Sequence, residues 1–303
     1  MVKSATMLTI LSGWASVQDS GRPGYAALGL PASGPLDPYA HAAANRLLDN
    51  PSGAAALEVI GVAAFSLSVA TKCVLAVTGA DLQLWVEGRP LPAWYSIFLR
   101  PGSVLELRGR RRLAGNGGVA YLAVAGGLQC PPYCGSQSTY VGAAGALPGL
   151  CGRLLRPGDE LACASSGSAQ AGRRAAAWHE IYPGPASLAV EWGPHAGLLG
   201  RKGRAALLAS EYTVAEGNRM GWRLAAPLAI PQRAGGGEMI SAPTLRGGIQ
   251  LPPGGQPIIL GPDQQTSGGY PLVAVVHPTS WPALGQLLAG DRLRLVYRGA
   301  GGG

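Results

Sequence analysis

GGLQCPP at residues 126–132 returns as GGIQLPP at residues 247–253. A second phrase follows each copy in the same order, LRPGDEL at residues 155–161 and LAGDRL at residues 288–293. Two related phrases in one order indicate an internal duplication rather than a chance match in a Gly-rich chain. We therefore expect two similar lobes that pack together, with polar loops of both lobes facing a common cleft.

Short apolar runs separated by Gly, Pro or charged turns make up most of the chain. The 303 residues include 47 Gly and 25 Pro, and 47% of all residues are hydrophobic. This alternation predicts a mainly β fold with a few helices. The predicted strands cover residues 8–17, 55–59, 65–69, 74–78, 82–86, 96–99, 104–107, 119–125, 188–192, 212–214, 258–260 and 293–297.

Three helices are predicted. The clearest covers residues 39–48, because Asp37 is a good N-cap and Pro38 suits the first helical position. The others cover residues 204–209 and 280–288, the last with Ser280 as its cap. The small, polar stretch 165–177 predicts a linker, with a first β lobe at 1–164 and a second at 178–303.

Composition argues against several classes of protein. The formal charge of +8 comes almost wholly from scattered arginines without interleaved aromatics, so no nucleic-acid partner is expected. No export signal or membrane-length apolar span is found, which predicts a cytoplasmic protein without a membrane partner. The four His are isolated and Cys130-x3-Cys134 lacks a second pair, so no metal site is expected.

Four polar loops are candidate sites, and each also has a structural interpretation. The first is residues 135–140, where hydroxyls can cradle a carboxylate, phosphate or amide, or else complete the bonds of a turn. In residues 263–271, Asp263 either deprotonates a ligand group or caps the turn. In residues 18–22, the carboxylate and guanidinium form a site or an ion pair that pins the first strand. In residues 218–221, the arginine binds a carboxylate or backbone carbonyls at the lobe interface.

Six motifs taken together resemble one family. They are SVQDSGRPGY at 16–25, SGPLD at 33–37 with AN at 44–45, YLAVAGG at 121–127, GSxSTY at 135–140, NRMG at 218–221 and DxQTxGGYP at 263–271. In this order they resemble the biotin-dependent carboxyltransferase-like family. That family includes the C subunit of 5-oxoprolinase, the regulatory protein KipA, allophanate hydrolase subunit 2 and part of urea amidolyase. The resemblance extends over residues 7–297.

The resemblance implies cyclophilin-like β-barrel lobes within a single carboxyltransferase-like domain, residues 1–303. It implies one member of a complex that opens 5-oxoproline to glutamate with ATP and Mg²⁺, both held at the level of the complex. The implied partners are a KipI-like protein, equivalent to the B subunit of 5-oxoprolinase, and a LamB/YcsF-like protein, equivalent to its A subunit. Two alternatives remain open, a non-catalytic KipA-like regulator that antagonises a kinase inhibitor and a biotin-dependent carboxyltransferase acting on urea or another small amide.

Site residues are carried over from the family motifs. Asp263 or Asp19 is the expected proton acceptor, and Asp37 and Asn45 belong to a structural motif. The expected substrate-binding residues are Gln18, Arg22, Ser136, Ser138, Thr139, Tyr140, Asn218, Arg219, Gln250, Gln265, Thr266 and Tyr270.

The chain departs from the family pattern at three positions. An arginine is usual where it has Gln137 and Gly142, and frequent where it has Gln264. If those arginines bind carboxylate or phosphate, glutamine keeps a hydrogen bond but loses the charge, and the consequence is altered substrate choice or lost activity.

Overall fold

The computed structural model describes residues 6–61, 63–109, 117–142, 147–164, 169–175, 186–233 and 239–299. The chain divides into two compact units. The first is Met1–Arg22 with Ser33–Ile181, and the second is Pro23–Ala32 with Tyr182–Gly303. The sequence predicted a boundary at 165–177 and did not indicate that Pro23–Ala32 belongs with the second unit.

The first unit is built from antiparallel sheets. Its strands are β1 (Thr6–Ser12), β2 (Ser16–Gln18), β3 (Ala56–Ile60), β4 (Phe65–Val69), β5 (Cys73–Gly79), β6 (Leu84–Val86), β7 (Arg89–Pro90), β8 (Tyr95–Leu99), β9 (Val104–Leu107), β10 (Val119–Val124), β11 (Leu128–Gln129) and β12 (Glu160–Cys163). One sheet has the order β11-β12-β1-β4-β9-β6-β7, and the other has the order β2-β3-β10-β5-β8. Their inward side chains form a single apolar core that includes Leu8, Leu57, Leu67, Leu75 and Leu122.

Helix α1 (Pro38–Arg46) confirms the clearest helix of the sequence. The Asp37 carboxylate accepts a bond from the Ala40 amide at 2.9 Å, and Pro38 occupies the first turn. Ala40 and Ala43 are buried, so the helix places one apolar face against the sheet.

The second unit contains a closed barrel. Its elements are β13 (Ala186–Trp192), α2 (Gly200–Ala209), β14 (Glu211–Asn218), β15 (Gly221–Ala225), β16 (Ala242–Pro243), β17 (Gly248–Gln250), β18 (Ile258–Leu260), β19 (Ser267–Gly268), β20 (Leu272–Val276), α3 (Trp281–Gly285) and β21 (Arg292–Tyr297). The barrel order is β13-β20-β17-β18-β15-β14-β21, and β13 pairs with β21 in parallel. Alternate side chains of its strands are buried, as in Leu293 and Leu295 of β21. The prediction of a mainly β fold with barrel structure and few helices is confirmed.

The second repeated phrase has the same local structure in both units. The Asp159 carboxylate accepts from the Arg156 amide at 2.9 Å, and the Asp291 carboxylate accepts from the Leu288 amide at 2.8 Å. Each turn contains a glycine at a φ of 90°. In the first unit the glycine and aspartate of this turn exchange backbone hydrogen bonds with Ile10 in β1, and in the second unit they do so with Val214 in β14. The pairing register of each strand shifts directly after that residue.

The neighbouring strands correspond as well. The antiparallel run β12-β1-β4-β9 of the first unit matches β21-β14-β15-β18 of the second. The first repeated phrase is placed differently, because β11 pairs with β12 whereas β17 pairs with β18 and β20. The two units therefore share this run of four strands and differ in how their remaining strands are arranged.

The strand predicted at 8–17 is wrong as a single element, because the chain leaves one sheet and enters the other at Gly13. This residue has a φ of 80°, and a Cβ there would lie 2.3 Å from the Ala64 carbonyl oxygen. Only glycine fits so close an approach with that backbone conformation. The consequence is that β2 is an edge strand of the second sheet, and the polar residues 19–22 follow it in the chain.

The helix predicted at 280–288 is also shorter than expected. A 3₁₀ turn at Pro278–Ser280 precedes α3, which ends at Gly285. Ser280 does not cap the helix, because its hydroxyl accepts from the Ala189 amide at 3.0 Å. The tie to β13 takes the place of the predicted cap.

The described part of the predicted linker, residues 169–175, is packed against an edge strand. Ser96 in β8 donates its amide to the Arg173 carbonyl at 2.9 Å, and its hydroxyl donates to the Gln170 carbonyl at 2.8 Å. The free edge of β8 offers unpaired backbone groups, so this stretch binds there instead of running free. Residues 165–168 and 176–177 of the predicted linker lie outside the described residues. In the described ranges, no helix has the length and apolar character that a membrane span requires.

Candidate functional site

Asp19 is the centre of the polar cluster in the first unit. Its Oδ1 accepts from the Ser136 hydroxyl at 2.5 Å, the Ser138 hydroxyl at 2.6 Å and the Gly21 amide at 2.8 Å. Its Oδ2 accepts from the Gln137 amide at 2.7 Å. Four donors therefore converge on one partly exposed carboxylate, which binds residues 136–138 to the end of β2.

The loop also extends the edge of β2. Thr139 donates its amide to the Val17 carbonyl at 2.8 Å, and its hydroxyl accepts from the Val17 amide at 3.1 Å. Gln18 donates its side-chain amide to the Thr139 carbonyl at 3.1 Å. Gln18 is fully buried, and its Oε1 has no hydrogen-bond partner among the described residues. A buried acceptor without a donor costs about 1–3 kcal/mol, so a ligand group that donated a hydrogen bond to this oxygen would gain binding free energy.

A tight turn orients the loop. Tyr133 and Ser136 exchange backbone hydrogen bonds at 2.8 and 3.2 Å, and the residues between them, Cys134 and Gly135, have φ values of 50° and 75°. Two successive positive φ values are typical of the two-residue turns that join twisted strands. The turn thus directs the Ser136 hydroxyl back toward Asp19.

Arg22 is a buried cation that contacts neutral oxygens. Its side chain is only 1% exposed. The guanidinium donates to the Ser138 carbonyl, to the Ser33 hydroxyl at 3.2 Å and to the Tyr133 carbonyl at 3.4 Å. The alternative of an Asp19–Arg22 ion pair is wrong, because Asp19 takes its bonds from hydroxyls and amides. In the part of the chain that the structure describes, no carboxylate pairs with this guanidinium; a buried charge without a counter-ion is costly, and an anion nearby would lower that cost.

Cys151 lies at the inner side of this loop. Its thiol donates to the Pro131 carbonyl at 3.4 Å, and its backbone carbonyl accepts from the Tyr140 amide at 2.7 Å. Burial raises the pKa of the Cys151 thiol, and the positive charge of Arg22 opposes that rise. The thiol is therefore a buried, protonated packing group rather than a nucleophile.

The structure explains the residues at two of the three positions where the resemblance implies an arginine. The Gln137 Oε1 accepts from the Cys130 amide at 2.9 Å, which a guanidinium cannot do because it has no acceptor atom. A Cβ on Gly142 would lie 2.2 Å from Cζ of the Tyr140 ring, so that ring occupies the space into which a side chain at 142 would project. Gln264 is buried, and its Oε1 lacks a described partner.

A buried network beneath the loop was not predicted. Glu58, in the middle of β3, accepts from the Tyr121 hydroxyl at 2.6 Å and from the Leu36 amide at 2.8 Å. The Tyr121 hydroxyl in turn accepts from the Asp37 amide at 2.9 Å. Burial, followed by the charge of Glu58, raises the pKa of Tyr121 well above its ordinary value. A lone carboxylate inside the apolar strand ALEVI was the signal that could have indicated this network.

The two residues of the predicted structural motif contact the backbone of their own unit. Asp37 caps α1, as described above. Asn45 donates its side-chain amide to the Ala54 carbonyl at 2.8 Å and accepts from the Asn50 side chain at 3.0 Å. On the same helix, His41 Nε2 lies 3.0 Å from the Gln18 carbonyl oxygen. Desolvation lowers the pKa of His41, so the ring is neutral and its Nε2 donates to that carbonyl.

A second group of predicted site residues lies in the second unit. The Arg219 guanidinium forms a fork with the Asp263 carboxylate, Nε to Oδ2 at 2.7 Å and Nη2 to Oδ1 at 3.0 Å. The Asp263 amide also donates to the Arg219 carbonyl at 2.9 Å. Both oxygens of Asp263 are thus engaged by one arginine, and its role as a proton acceptor stays a prediction. Asn218 Oδ1 accepts from the Met220 amide at 2.8 Å and shapes this hairpin turn.

Two glutamines approach Gly268, Gln250 from β17 and Gln265 from the loop before β19. A Cβ on Gly268 would lie 2.7 Å from Nε2 of Gln250 and 2.8 Å from Nε2 of Gln265. Gln250 is 3% exposed, and Gln265 lies at the surface beside the half-buried Thr266 and Tyr270. The absence of a side chain at residue 268 lets both amide groups come together, an arrangement suited to a small polar ligand.

The predicted residues therefore form two clusters, one in each unit. Gln18, Asp19, Arg22 and the 136–140 loop form the first, and the residues at 218–219, 250 and 263–270 form the second. That the two clusters face one cleft stays a prediction. Among the described residues, no three or more His, Cys, Asp or Glu side chains gather to hold a metal ion.

Comparison with known proteins gives the family context of these clusters. A family model described as "Carboxyltransferase domain, subdomain A and B" matches residues 28–297. The chain is 32% identical to the C subunit of 5-oxoprolinase from Escherichia coli (strain K12), over 93% of this chain and 88% of that relative. It is 29% identical to urea amidolyase of Saccharomyces cerevisiae, over 97% of this chain but 16% of that relative.

A solved structure has the same fold. The crystal structure of TTHA0988 superposes with a TM-score of 0.85 at 32% identity, and the match covers 97% of this chain and 56% of that chain. This chain thus spans little more than half of that longer protein. Since the family model spans both units and the relatives match along nearly the whole chain, the chain belongs to the carboxyltransferase domain family, subdomain A and B.

Proposed function

We propose that the chain is part of a 5-oxoprolinase-type complex, which uses ATP to hydrolyse 5-oxoproline to glutamate together with a KipI-like partner. The match to the C subunit of 5-oxoprolinase supports this, because it extends over 88% of that relative, against 16% of the urea amidolyase. A LamB/YcsF-like protein completes the proposed complex. ATP and Mg²⁺ are assigned to the complex as a whole and to no residue of this chain.

The observation that carries the proposal is the Arg22 guanidinium, which is buried among neutral oxygens next to a loop of hydroxyls. The substrate 5-oxoproline is an anion with a planar lactam. Among the described residues no carboxylate forms an ion pair with Arg22, and a positive charge in a low-dielectric surrounding attracts a carboxylate strongly. Arg22 therefore draws the substrate carboxylate toward the loop that Asp19 holds.

Asp19 is the proposed proton acceptor. In the reaction the lactam C–N bond breaks, the oxygen of one water joins the carbonyl carbon, and the released nitrogen takes a proton, while a second water converts ATP to ADP and phosphate. Asp19 is partly exposed, so a water can give its proton to the carboxylate directly, while the buried Ser136 and Ser138 hydroxyls hold Oδ1 in place. Asp263, engaged by Arg219, is proposed to hold that arginine in place for an anionic group.

The test is reconstitution. The chain is coexpressed with a KipI-like and a LamB/YcsF-like protein, and glutamate and ADP are measured with and without 5-oxoproline. The proposal expects equal amounts of both products that depend on 5-oxoproline. It also expects Asp19→Asn to lower glutamate formation at least about 100-fold, the usual contribution of a general base. Asp81→Asn, a change of a carboxylate that bonds the Gln83 amide at the surface, is the matched control.

A stable three-protein complex that forms no glutamate would refute the proposal. Turnover by such a complex that is equally fast with Asp19→Asn would refute the role of that residue. A KipA-like regulator without catalysis stays a prediction, and it is the outcome in which a KipI-like protein binds tightly and no reaction follows.

Carboxyl transfer to urea or another small amide is a second candidate. The supporting observation is that the yeast urea amidolyase matches over 97% of this chain. Biotin would then be brought by a separate carrier protein. Incubation with a biotin carboxylase, its biotinylated carrier, labelled bicarbonate and urea tests this candidate, and a lack of urea-dependent label transfer would exclude it.

A further inference from the structure

A cavity of about 280 Å³ lies between α1 and residues 173–175, within the first unit. Tyr39, Arg46 and Leu47 line one side of it, and Arg173 and Arg174 line the other. None of these residues belongs to the clusters around Asp19 or Asp263. Three guanidinium groups around one cavity of this size form a basic site that the proposed reaction does not use.

The cavity faces the side of α1 that points away from Gln18. Arg46 and Leu47 follow Tyr39 by seven and eight positions. In a helix with 3.6 residues per turn this spacing places all three on one face. His41, whose ring contacts the Gln18 carbonyl, and Asn45 lie on the opposite face. The helix therefore separates the cavity from the Asp19 cluster.

Two of the three charges at the cavity are not neutralised. Arg173 is paired with Asp49 at 2.6 Å. The Arg46 guanidinium lies over the Tyr39 ring at 5.8 Å, and the Arg174 guanidinium lies over the Tyr95 ring at 5.9 Å. In the described ranges neither has an ion-pair partner, and contact with a ring leaves a cation its full charge. The walls of the cavity thus carry a surplus of positive charge.

The backbone that carries Arg173 and Arg174 is held in place by hydrogen bonds to β8 and the residue before it. The Arg173 amide donates to the Ser96 hydroxyl at 2.9 Å, Arg174 pairs with Tyr95 as an isolated bridge, and the Ala175 amide donates to the Trp94 carbonyl at 3.0 Å. Because this backbone is already ordered, binding an anion has less conformational entropy to overcome. The site is prepared for a ligand before one arrives.

We propose that this cavity binds an oxyanion of the phosphate type. A guanidinium donates two parallel N–H groups to a pair of oxygens, so one carboxylate occupies a single fork. A phosphate or pyrophosphate group has enough oxygens to accept forks from Arg46 and Arg174 together. Leu47 and Ala43 add a small apolar wall, which limits the size of the ligand rather than its charge.

The test measures binding of inorganic phosphate, pyrophosphate and ADP to the full chain by calorimetry. It compares wild type with Arg46→Gln/Arg174→Gln and with Arg223→Gln as control. Arg223 is an exposed arginine of the second unit, paired with Glu216 at 3.6 Å. We expect pyrophosphate to bind more tightly than phosphate. The Kd of pyrophosphate should rise at least about tenfold in the double variant and change less than twofold in the control. ADP binding that is tight and lost in the double variant would identify nucleotides as the source of the phosphate, and weaker ADP binding would identify free phosphate.

A second measurement keeps the inference testable if the double variant does not fold. Phenylglyoxal modification of wild-type protein, followed by peptide mass analysis, should show that pyrophosphate protects Arg46 and Arg174 but not Arg223. The inference is overturned if wild type binds none of the three probes at about 10 mM, where a site of Kd near 1 mM would be saturated. Equal weakening in the double variant and the control, or protection that is equal at all three arginines, would overturn it too. Because binding is measured on the chain by itself, these results do not depend on the proposed enzymatic function.

Discussion

Replacing Asp19 by Asn should destabilise the first unit, because the change removes an acceptor where four donors meet. An asparagine side chain keeps one oxygen and replaces the other with an NH₂ group. The best orientation keeps the oxygen toward Ser136, Ser138 and Gly21, and turns the NH₂ toward the Gln137 amide, which is also a donor. One hydrogen bond is then lost, and three become neutral.

The magnitude follows from these bonds. An unpaired amide costs about 1–3 kcal/mol, and each bond that loses its charged partner weakens by about 1 kcal/mol. Asp19 is partly exposed, so water screens its charge and reaches the Gln137 amide, which lowers the sum to about 2–3 kcal/mol. For a unit of this size, 1 kcal/mol corresponds to about 2–4 °C, so the melting temperature should fall by about 5–10 °C.

Differential scanning calorimetry of Asp19→Asn beside Asp81→Asn is the appropriate assay. Asp81 accepts one exposed bond, from the Gln83 amide at 3.0 Å, and its substitution should leave the melting temperature within about 2 °C, which corresponds to surface changes of about 0.5 kcal/mol. Hydrogen exchange of the Gln137 amide should speed up in the Asp19 variant only. A melting temperature for Asp19→Asn that equals that of the control would refute the conclusion that this carboxylate holds the loop.

Three further predictions concern other parts of the molecule. Asp263→Ala leaves the Arg219 side chain, which is 13% exposed, without this carboxylate and should lower the free energy of unfolding by about 3–5 kcal/mol in urea denaturation; an unchanged midpoint would contradict the structural role of this pair. Burial lowers the pKa of His41 below its ordinary value of 6.5, so at low pH the unfolded chain binds a proton that the folded one does not. The free energy of unfolding should therefore fall as the pH drops through about 6.5, by at most about 1.4 kcal/mol per pH unit. The same measurement on His41→Asn should show a shallower fall. All five cysteines lie in the described ranges, and only Cys134 is not buried, so a thiol reagent should modify one thiol quickly in the native protein and five after denaturation; two or more fast thiols would contradict this packing.

Local patterns predicted most of the secondary structure. The strands at 65–69, 104–107 and 258–260 have the predicted bounds, because alternation and turn residues act over a few positions. The prediction for α1 was confirmed for the same reason, since an N-cap and a proline act within one turn. The single strand predicted at 8–17 was wrong, because the contact of Gly13 with Ala64 that breaks it is made by a distant part of the chain.

The candidate site was predictable as a set of residues and not as an arrangement. Motifs brought Asp19 and the 136–140 loop into the same prediction, but their hydrogen bonds were not foreseen. Gln137 looked like a lost arginine, whereas its oxygen binds the Cys130 amide. Glu58 was not predicted as a site residue at all, since a carboxylate in a strand has no local partner that would reveal its role.

The repeated phrases, the strand and turn periodicity and the cap of α1 can be read from the order of residues, because they depend on neighbours within a turn or a strand. Which polar groups meet depends on contacts between distant parts of the chain. Asp19 and Ser136 are 117 residues apart, and only the docking of the 133–140 segment along β2 brings them within hydrogen-bond distance. Such contacts are stabilised by the packing of the whole first unit. Burial of its apolar strands determines the position of each polar loop.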